Sequence, residues 1–227
     1  MEFVVSQPPL VSIAVTNQKK RFPVRRVMCV GRNYMAHIRE MGGDERGPPF
    51  YFAKPADSII PNGSQLKYPS CTSNLHYECE LVAAIGVGGQ NISEDMALNH
   101  VYGYAVGLDM TRRDLQIALR EKGRPWDMGK GFDQSAPCGD IHPADQVGHF
   151  PKGRLWLEVN GEIKQDSDLE LMIWNLQETI SNLSELIELA PGDLIYTGTP
   201  DGVGPVVPGD KMIARIEGLD TLNITVC

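Results

Sequence analysis

The sequence predicts a mainly β fold with a few helices (α+β), and three observations predict it. Short apolar or alternating runs recur from Leu10 to the last residues, separated by Gly, Pro and Asn turn signals. Only two longer stretches, Thr111 to Lys122 and Leu169 to Ile187, carry the three-to-four-residue apolar spacing of a helix. The 227 residues suffice for one sizeable core, so a single domain is expected, with residues 1–25 as an arm and hairpin strand and 26–227 as the main body.

Taken in order, Leu10 to Val15 and Phe22 to Val30 flank the turn NQKKR and read as a hairpin. CVGRNYMAHIREMGG has turn formers at Gly31 and Asn33, a short helix from Tyr34 to Met41, and a stop at Gly42-Gly43. The polar loop GGDERGPP follows, then a strand from Phe50 to Lys54 and a turn at Pro61-Asn62-Gly63. Asn74 to Val87 begins with His76, Glu78 and Glu80 at every second position and runs into an apolar segment that reads as a buried strand. Ser93 to His100 reads as one or two helical turns, and Val101 to Asp109 as a second apolar strand. Thr111 with Asp114 loosely fits a capping box for the next helix. Gly123 to Pro151 has little periodicity and reads as a long irregular section. Asn160-Gly161 is the strongest hairpin signal. Pro191-Gly192-Asp193 ends the second helix, and the tail alternates strands and turns.

Side chains two apart on a strand share a face, roughly 6–7 Å from each other. Glu78 and Glu80 therefore converge, and two carboxylates beside a buried strand are costly without a cation or a proton between them. A hard divalent metal resolves this, and Asp109, at the end of another strand, can complete a three-carboxylate set suited to Mg²⁺, Mn²⁺ or Ca²⁺. An exposed acidic strand face is the plain alternative. His76 reads as a neighbour of the set or as a core histidine, not as a ligand. His37 and Glu40, three apart on a helix, share a face and form either a surface ion pair or a base with its orienting carboxylate. Lys130, between glycines in MGKGFD, reads on its own as solvent-facing.

Composition narrows the partners. The net charge of −8 argues against nucleic acid or an anionic membrane, and an anionic substrate would need local attraction. Five scattered cysteines without a CxxC pair suit free thiols in a reducing cytoplasm. No signal peptide and no apolar run of the ~18 residues that span a bilayer is expected. DGVGPVVPG lacks P-loop spacing, no GxSxG elbow occurs, and no cysteine has a base beside it.

CVGRNYMAHIREMG, FAKPADSII, NLHYECELVAAIG, GYAVGLDMTRRDLQ, KGRPWDMGKGFD, LEVNGEIKQ and PGDLIYTGTPDGVGPV, in this order, resemble the fumarylacetoacetate hydrolase family. The resemblance runs from about Val27 to Val226, closest to the single-domain acylpyruvase-like members. It implies a mixed β-roll catalytic domain, a homodimer, and one Mg²⁺ or Mn²⁺ per subunit held by Glu78, Glu80 and Asp109. It implies His37 and Glu40 as the dyad of a lid, Lys130 as the active-site lysine, Arg113, Gln116 and Thr199 as substrate contacts, and Arg32 beside the site. The activity implied is cleavage of a carbon–carbon bond in a 2,4-dioxo acid, first of all 3-fumarylpyruvate to fumarate and pyruvate, in aromatic degradation of the gentisate type. An acylpyruvase with oxaloacetate decarboxylase activity and a 2-hydroxyhepta-2,4-diene-1,7-dioate isomerase are the alternatives. A non-catalytic, metal-stabilised binding module is the alternative from a different class.

Overall fold

The computed structural model describes residues 3–40 and 47–227. The chain opens with an antiparallel hairpin of β1 (Ser12–Ala14) and β2 (Arg21–Pro23); the hairpin is as expected, but its second run, read from Phe22 to Val30, splits into β2 and the next strand, which joins another sheet. β3 (Arg26–Gly31), helix α1 (Met35–Glu40), β4 (Phe50–Lys54), β5 (Ile59–Pro61) and β6 (Gln65–Leu66) follow. Next come β7 (Leu75–Tyr77), β8 (Cys79–Ile85), β9 (Val101–Leu108), β10 (Thr111–Arg112), α2 (Arg113–Glu121) and α3 (Asp127–Lys130). β11 (Ala136–Cys138), β12 (His142–Pro143) and α4 (Ala144–Val147) lead to the hairpin of β13 (Arg154–Val159) and β14 (Glu162–Asp168). α5 (Leu176–Leu186), β15 (Asp193–Tyr196), β16 (Gly204–Val206), β17 (Lys211–Ile216) and β18 (Leu222–Val226) complete the chain.

Among the described residues the central sheet is mixed, in the order β4-β3-β15-β8-β9-β11-β5, with β12 also on β9. A second sheet has the order β14-β13-β17-β18-β6, and a small one has β10-β7-β16. β8 lies near the middle of the central sheet and is buried along its whole length. Its Leu81, Ala83 and Ile85 face one core, shared with Leu155 and Leu157 of β13, Met212 and Ala214 of β17 and Ile180 and Leu183 of α5. Its Val82 and Ala84 face a second core, with Val27 and Cys29 of β3, Leu194 of β15 and Ile13 and Phe22 of the first hairpin. An apolar run without alternation is what a strand covered on both faces requires. Each buried large aliphatic side chain contributes about 1.5–3 kcal/mol.

Several expectations are corrected. The stretch from His76 to Val87 is not one strand: pairing breaks at Glu78, β7 joins the small sheet and β8 the central one. The helix expected from Thr111 starts at Arg113, because Thr111 and Arg112 pair with His76 and Leu75. Its capping box does not form, because Asp114 instead accepts from Thr72 Oγ1 at 2.6 Å and from the Ser73 amide at 3.0 Å. The second long helix begins at Leu176, where Asn175 and Glu178 form a reciprocal capping box, and Leu169–Leu171 is a 3₁₀ turn. Residues 123–151, expected to be irregular, hold α3, β11, β12 and α4. The Asn160-Gly161 turn forms as expected, with both residues at positive φ, 53° and 84°. The Gly42-Gly43 stop and most of the loop after it lie outside the described residues. All five cysteines are free thiols. Among the described residues no helix is long and apolar enough to cross a membrane.

Candidate active site

The antiparallel register places the carboxylates. Cys79 pairs with Leu108 and Glu80 with Gly107, so Glu78 stands opposite Asp109 just beyond the ladder. The Asp109 amide donates to the Glu78 carbonyl at 2.9 Å and continues the pairing by one bond. Opposed residues of an antiparallel pair share a face, and so do residues two apart. Glu78, Glu80 and Asp109 therefore converge, and one oxygen from each lies within 4.8 Å of the others. All three are buried, at 4%, 1% and 0% exposure, so water screens their charges little.

Cations answer part of this charge. Lys130 Nζ bridges Glu78 Oε2 and Asp109 Oδ2, at 2.7 Å from each. Arg113 pairs with Glu78 Oε1, which also accepts from Thr111 Oγ1 at 3.2 Å. Burial acts to raise the Glu78 carboxyl, and the charges of Lys130 and Arg113 outweigh it and hold it well below its usual range. Among the described residues Glu80 has only the Gly198 amide as a hydrogen-bond partner, at 2.8 Å. Burial, then the charges of Asp109 and Glu78, push its carboxyl well above its usual range. Asp109 Oδ1 lies 2.7 Å from Lys54 Nζ as an ion pair outside hydrogen-bonding geometry, and accepts no hydrogen bond from the described residues. Three converging buried carboxylates, of which Glu80 has no ion pair of its own among the described residues, are a donor set that fits an oxygen-loving dication.

Lys130 is buried, contrary to the solvent-facing reading of its sequence context alone. Gly129 makes this possible, because a Cβ there would lie 2.9 Å from the Gln116 backbone nitrogen. α3 can therefore press against α2 and carry Lys130 into the cluster. Its ammonium also sits 4.9 Å from the Phe52 ring centre.

Across the cleft, α1 presents a buried His37 whose Nδ1 lies 3.1 Å from Glu40 Oε2. A carboxylate can only accept, so Nδ1 carries the proton of the neutral ring and Nε2 is left as the basic nitrogen. Glu40 Oε1 accepts from the Gly202 amide at 3.1 Å, which fastens α1 to the loop after β15. Burial raises the Glu40 carboxyl, and the bonds from His37 and Gly202 bring it below its usual value.

One cleft, of about 420 Å³ with its open mouth, is lined by His37, Glu78, Glu80 and Lys130 together with Arg32, Arg113, Gln116 and Thr199. Asp109 sits behind them. Each of these cleft-lining side chains has its own support. Arg113 Nη1 donates to Gln116 Oε1 at 3.2 Å. Thr197 continues β15 by bonding Leu81 O at 3.0 Å, and the Gly198 amide that follows reaches Glu80, which leaves Thr199 lining the cleft. Gly198 stands at φ 96°, where a Cβ would lie 2.6 Å from Asn33 Cβ. Arg32 holds a left-handed backbone, φ 58°, at the end of β3, a strained conformation of the kind found at functional sites. His76 stays outside the carboxylate cluster, 2.9 Å from Asn74 Oδ1, with its pKa lowered to about 4 by burial and by Arg113.

Sequence reasoning missed Lys54, Phe52, Trp126 and Arg120. Lys54 is buried at the end of β4 and donates to Met110 O at 3.0 Å and to Lys130 O, so it ties two residues that flank the cluster. Its signal was a lone lysine closing the apolar run FYFAK. Phe52, Trp126 and Arg120 line the cleft, but nothing in their local sequence distinguishes them. Arg112 turns away and stacks on Phe132, 4.4 Å from its ring centre.

Residues 26–227 match the family described as fumarylacetoacetate (FAA) hydrolase, C-terminal. The chain is 52% identical over 177 residues to a fumarylpyruvate hydrolase of Ralstonia sp, covering 78% of this chain and 92% of that one. It is 41% identical over 202 residues to the human mitochondrial oxaloacetate tautomerase FAHD1, covering 89% and 91%. Among solved structures it matches fumarylpyruvate hydrolase from Pseudomonas aeruginosa in complex with Mn²⁺ and pyruvate, with a TM-score of 0.97 and 54% identity over 99% of both chains. With the mixed sheet and these matches in hand, the chain belongs to the fumarylacetoacetate hydrolase family.

Proposed function

We propose that this protein hydrolyses a carbon–carbon bond in a 2,4-dioxo acid, with 3-fumarylpyruvate as the first substrate, giving fumarate and pyruvate. The observation that carries the reading is an imidazole oriented by a carboxylate, facing a buried three-carboxylate cluster across one cleft. Support comes from the 52% identical Ralstonia hydrolase and from the Pseudomonas aeruginosa structure that holds Mn²⁺ and pyruvate.

Glu78, Glu80 and Asp109 would hold one Mg²⁺ or Mn²⁺, whose role when bound is Lewis-acid polarisation of the oxo-acid end. His37 Nε2 removes a proton from water, and the developing imidazolium is stabilised by Glu40. The hydroxide adds to the 4-oxo carbon, and the bond between that carbon and the neighbouring methylene breaks. The fumaryl half leaves as a carboxylic acid, and the methylene side leaves as the enolate of pyruvate. Lys130, inside the cluster, faces that negative charge. The proton taken from water is the one the enolate carbon needs to become the methyl of pyruvate. Arg113, Gln116 and Thr199 hold the acid end, and Arg32 and Arg120 meet the distal carboxylate. Local cations thus attract an anion to an acidic protein.

The test is pyruvate release, coupled to lactate dehydrogenase, from fumarylpyruvate, acetylpyruvate and oxaloacetate with Mg²⁺ or Mn²⁺. Fumarylpyruvate is expected to be the fastest; no pyruvate from any acylpyruvate would overturn the reading. The human relative's name favours a second reading, tautomerisation of oxaloacetate, which would show as loss of enol absorbance without pyruvate. A water-activating dyad favours hydrolysis. The same proposal carries a homodimer acting in aromatic-ring degradation in the cytoplasm, with light scattering as the check on the dimer.

A further inference from the structure

We propose that Gln165 is the positioning residue that fixes the Thr199 hydroxyl as a hydrogen-bond donor into the cleft, toward the carboxylate of the substrate's oxo-acid end. This rests on the acylpyruvate reading only in naming the anion that receives the bond. β14 is otherwise turned toward solvent, and Gln165 is its one buried residue. A buried polar side chain on an exposed strand must have partners, and this one is fully engaged. Its Oε1 accepts from the Cys79 amide at 3.0 Å. Its Nε2 faces Thr199 Oγ1 at 2.9 Å, Pro200 O at 3.0 Å and Asp201 O at 3.3 Å.

These partners leave no choice in the orientation of the amide. A backbone N–H requires the carbonyl oxygen, and two backbone carbonyls require the NH₂. The NH₂ can only donate, so Thr199 Oγ1 accepts with a lone pair and its own proton points elsewhere. Among the described residues Thr199 Oγ1 donates to no protein group, and Thr199 lines the cleft. The proton is therefore available to an anion there. The other end of Gln165 holds Cys79, the residue between Glu78 and Glu80. One side chain thus sets the carboxylate pair and the hydroxyl in a common frame.

Gln165→Glu keeps the shape and replaces the donor with an acceptor, so Thr199 would turn its proton inward. With acetylpyruvate and Mg²⁺ the expected result is a KM raised about tenfold or more, with kcat changed by less than about threefold. Thr199→Val should show the same split, and Gln165→Glu combined with Thr199→Val should be no worse than Thr199→Val alone. Losses that multiply, or an unchanged KM in Gln165→Glu, would overturn the proposal. Should Gln165→Glu not fold, a neutron structure of the wild-type protein with Mg²⁺ and oxalate decides. The Thr199 deuteron directed into the cleft supports the proposal, and a deuteron directed at Gln165 overturns it. Wild-type protein inactive on every acylpyruvate would sink the functional reading, while the deuteron's direction would still stand or fall by itself.

Discussion

The side chains of Glu78 and Asp109 face each other at the end of an antiparallel ladder, with the Lys130 ammonium 2.7 Å from both. Like charges directly opposed across a sheet destabilise it, so the lysine has a structural part. Breaking one side of a buried ion pair costs about 3–5 kcal/mol. Arg113 and Lys54 still face the two carboxylates, which puts Lys130→Met at the low end of that range. The melting temperature of the metal-free variant is expected to fall by on the order of ten degrees. Added Mn²⁺ should recover more of this in the variant than it adds to the wild type, since the dication takes over the role of the lost ammonium. Thermal melts with and without Mn²⁺ measure both; equal Mn²⁺ effects would contradict the shared site.

Glu80→Gln isolates the metal from the architecture. Among the described residues Glu80 has a single hydrogen bond, from the Gly198 amide, which an isosteric amide oxygen can still accept. The fold is expected to survive. Mn²⁺ affinity should drop by roughly 100-fold or more, a larger loss than removing a group that merely orients a ligand. Titration followed by the electron paramagnetic resonance of free Mn²⁺ reads this without turnover. Unchanged affinity would remove Glu80 from the ligand set.

How much of this was legible in the sequence depends on distance along the chain. The apolar strand expected over Leu81 to Val87 forms as β8, Cys79–Ile85, and the helical face shared by His37 and Glu40 forms as read; both are local patterns. Asp109 was legible as a strand end, but only the register of β8 on β9 sets it against Glu78. Lys130 reads locally as a surface lysine, because its burial follows from a glycine contact with α2. Lys54, Phe52, Trp126 and Arg120 reach the site only through tertiary packing, which leaves no periodic trace. The break at Glu78 was missed for a related reason. Alternation predicts a strand but not the point where the chain passes from one sheet to another.

Glu40 sets the sign of one pH dependence. Its carboxyl is held below its usual value in the folded chain. Such a group contributes stability above its unfolded pKa, near 4.3, and loses it as pH falls through the lower folded pKa. The melting-temperature difference between wild type and Glu40→Gln should therefore stay flat from about pH 8 to about pH 5 and close only below about pH 4. Over the same flat range kcat of the variant is expected to be lower by about 10- to 100-fold, because the imidazolium loses its charged partner. A difference that closes between neutrality and pH 5 would separate Glu40 from the dyad.

Substrate choice turns on the outer half of the cleft. A seven-carbon dioxo diacid holds its two carboxylates roughly 7–8 Å apart when extended. Arg113, beside the cluster, and Arg120 both line the cleft from α2 and are two turns apart, about 10.5 Å along the axis. An arginine can fold back over the remaining few ångströms, and Arg32 approaches from the opposite wall. A charge-assisted hydrogen bond to a carboxylate contributes about 1.5–3 kcal/mol. Arg120→Leu should therefore raise KM for fumarylpyruvate by about 10- to 100-fold and leave acetylpyruvate, which has no distal carboxylate, nearly unchanged. Equal effects on both substrates would place the distal carboxylate elsewhere, and Arg32→Leu is then the variant expected to discriminate between them.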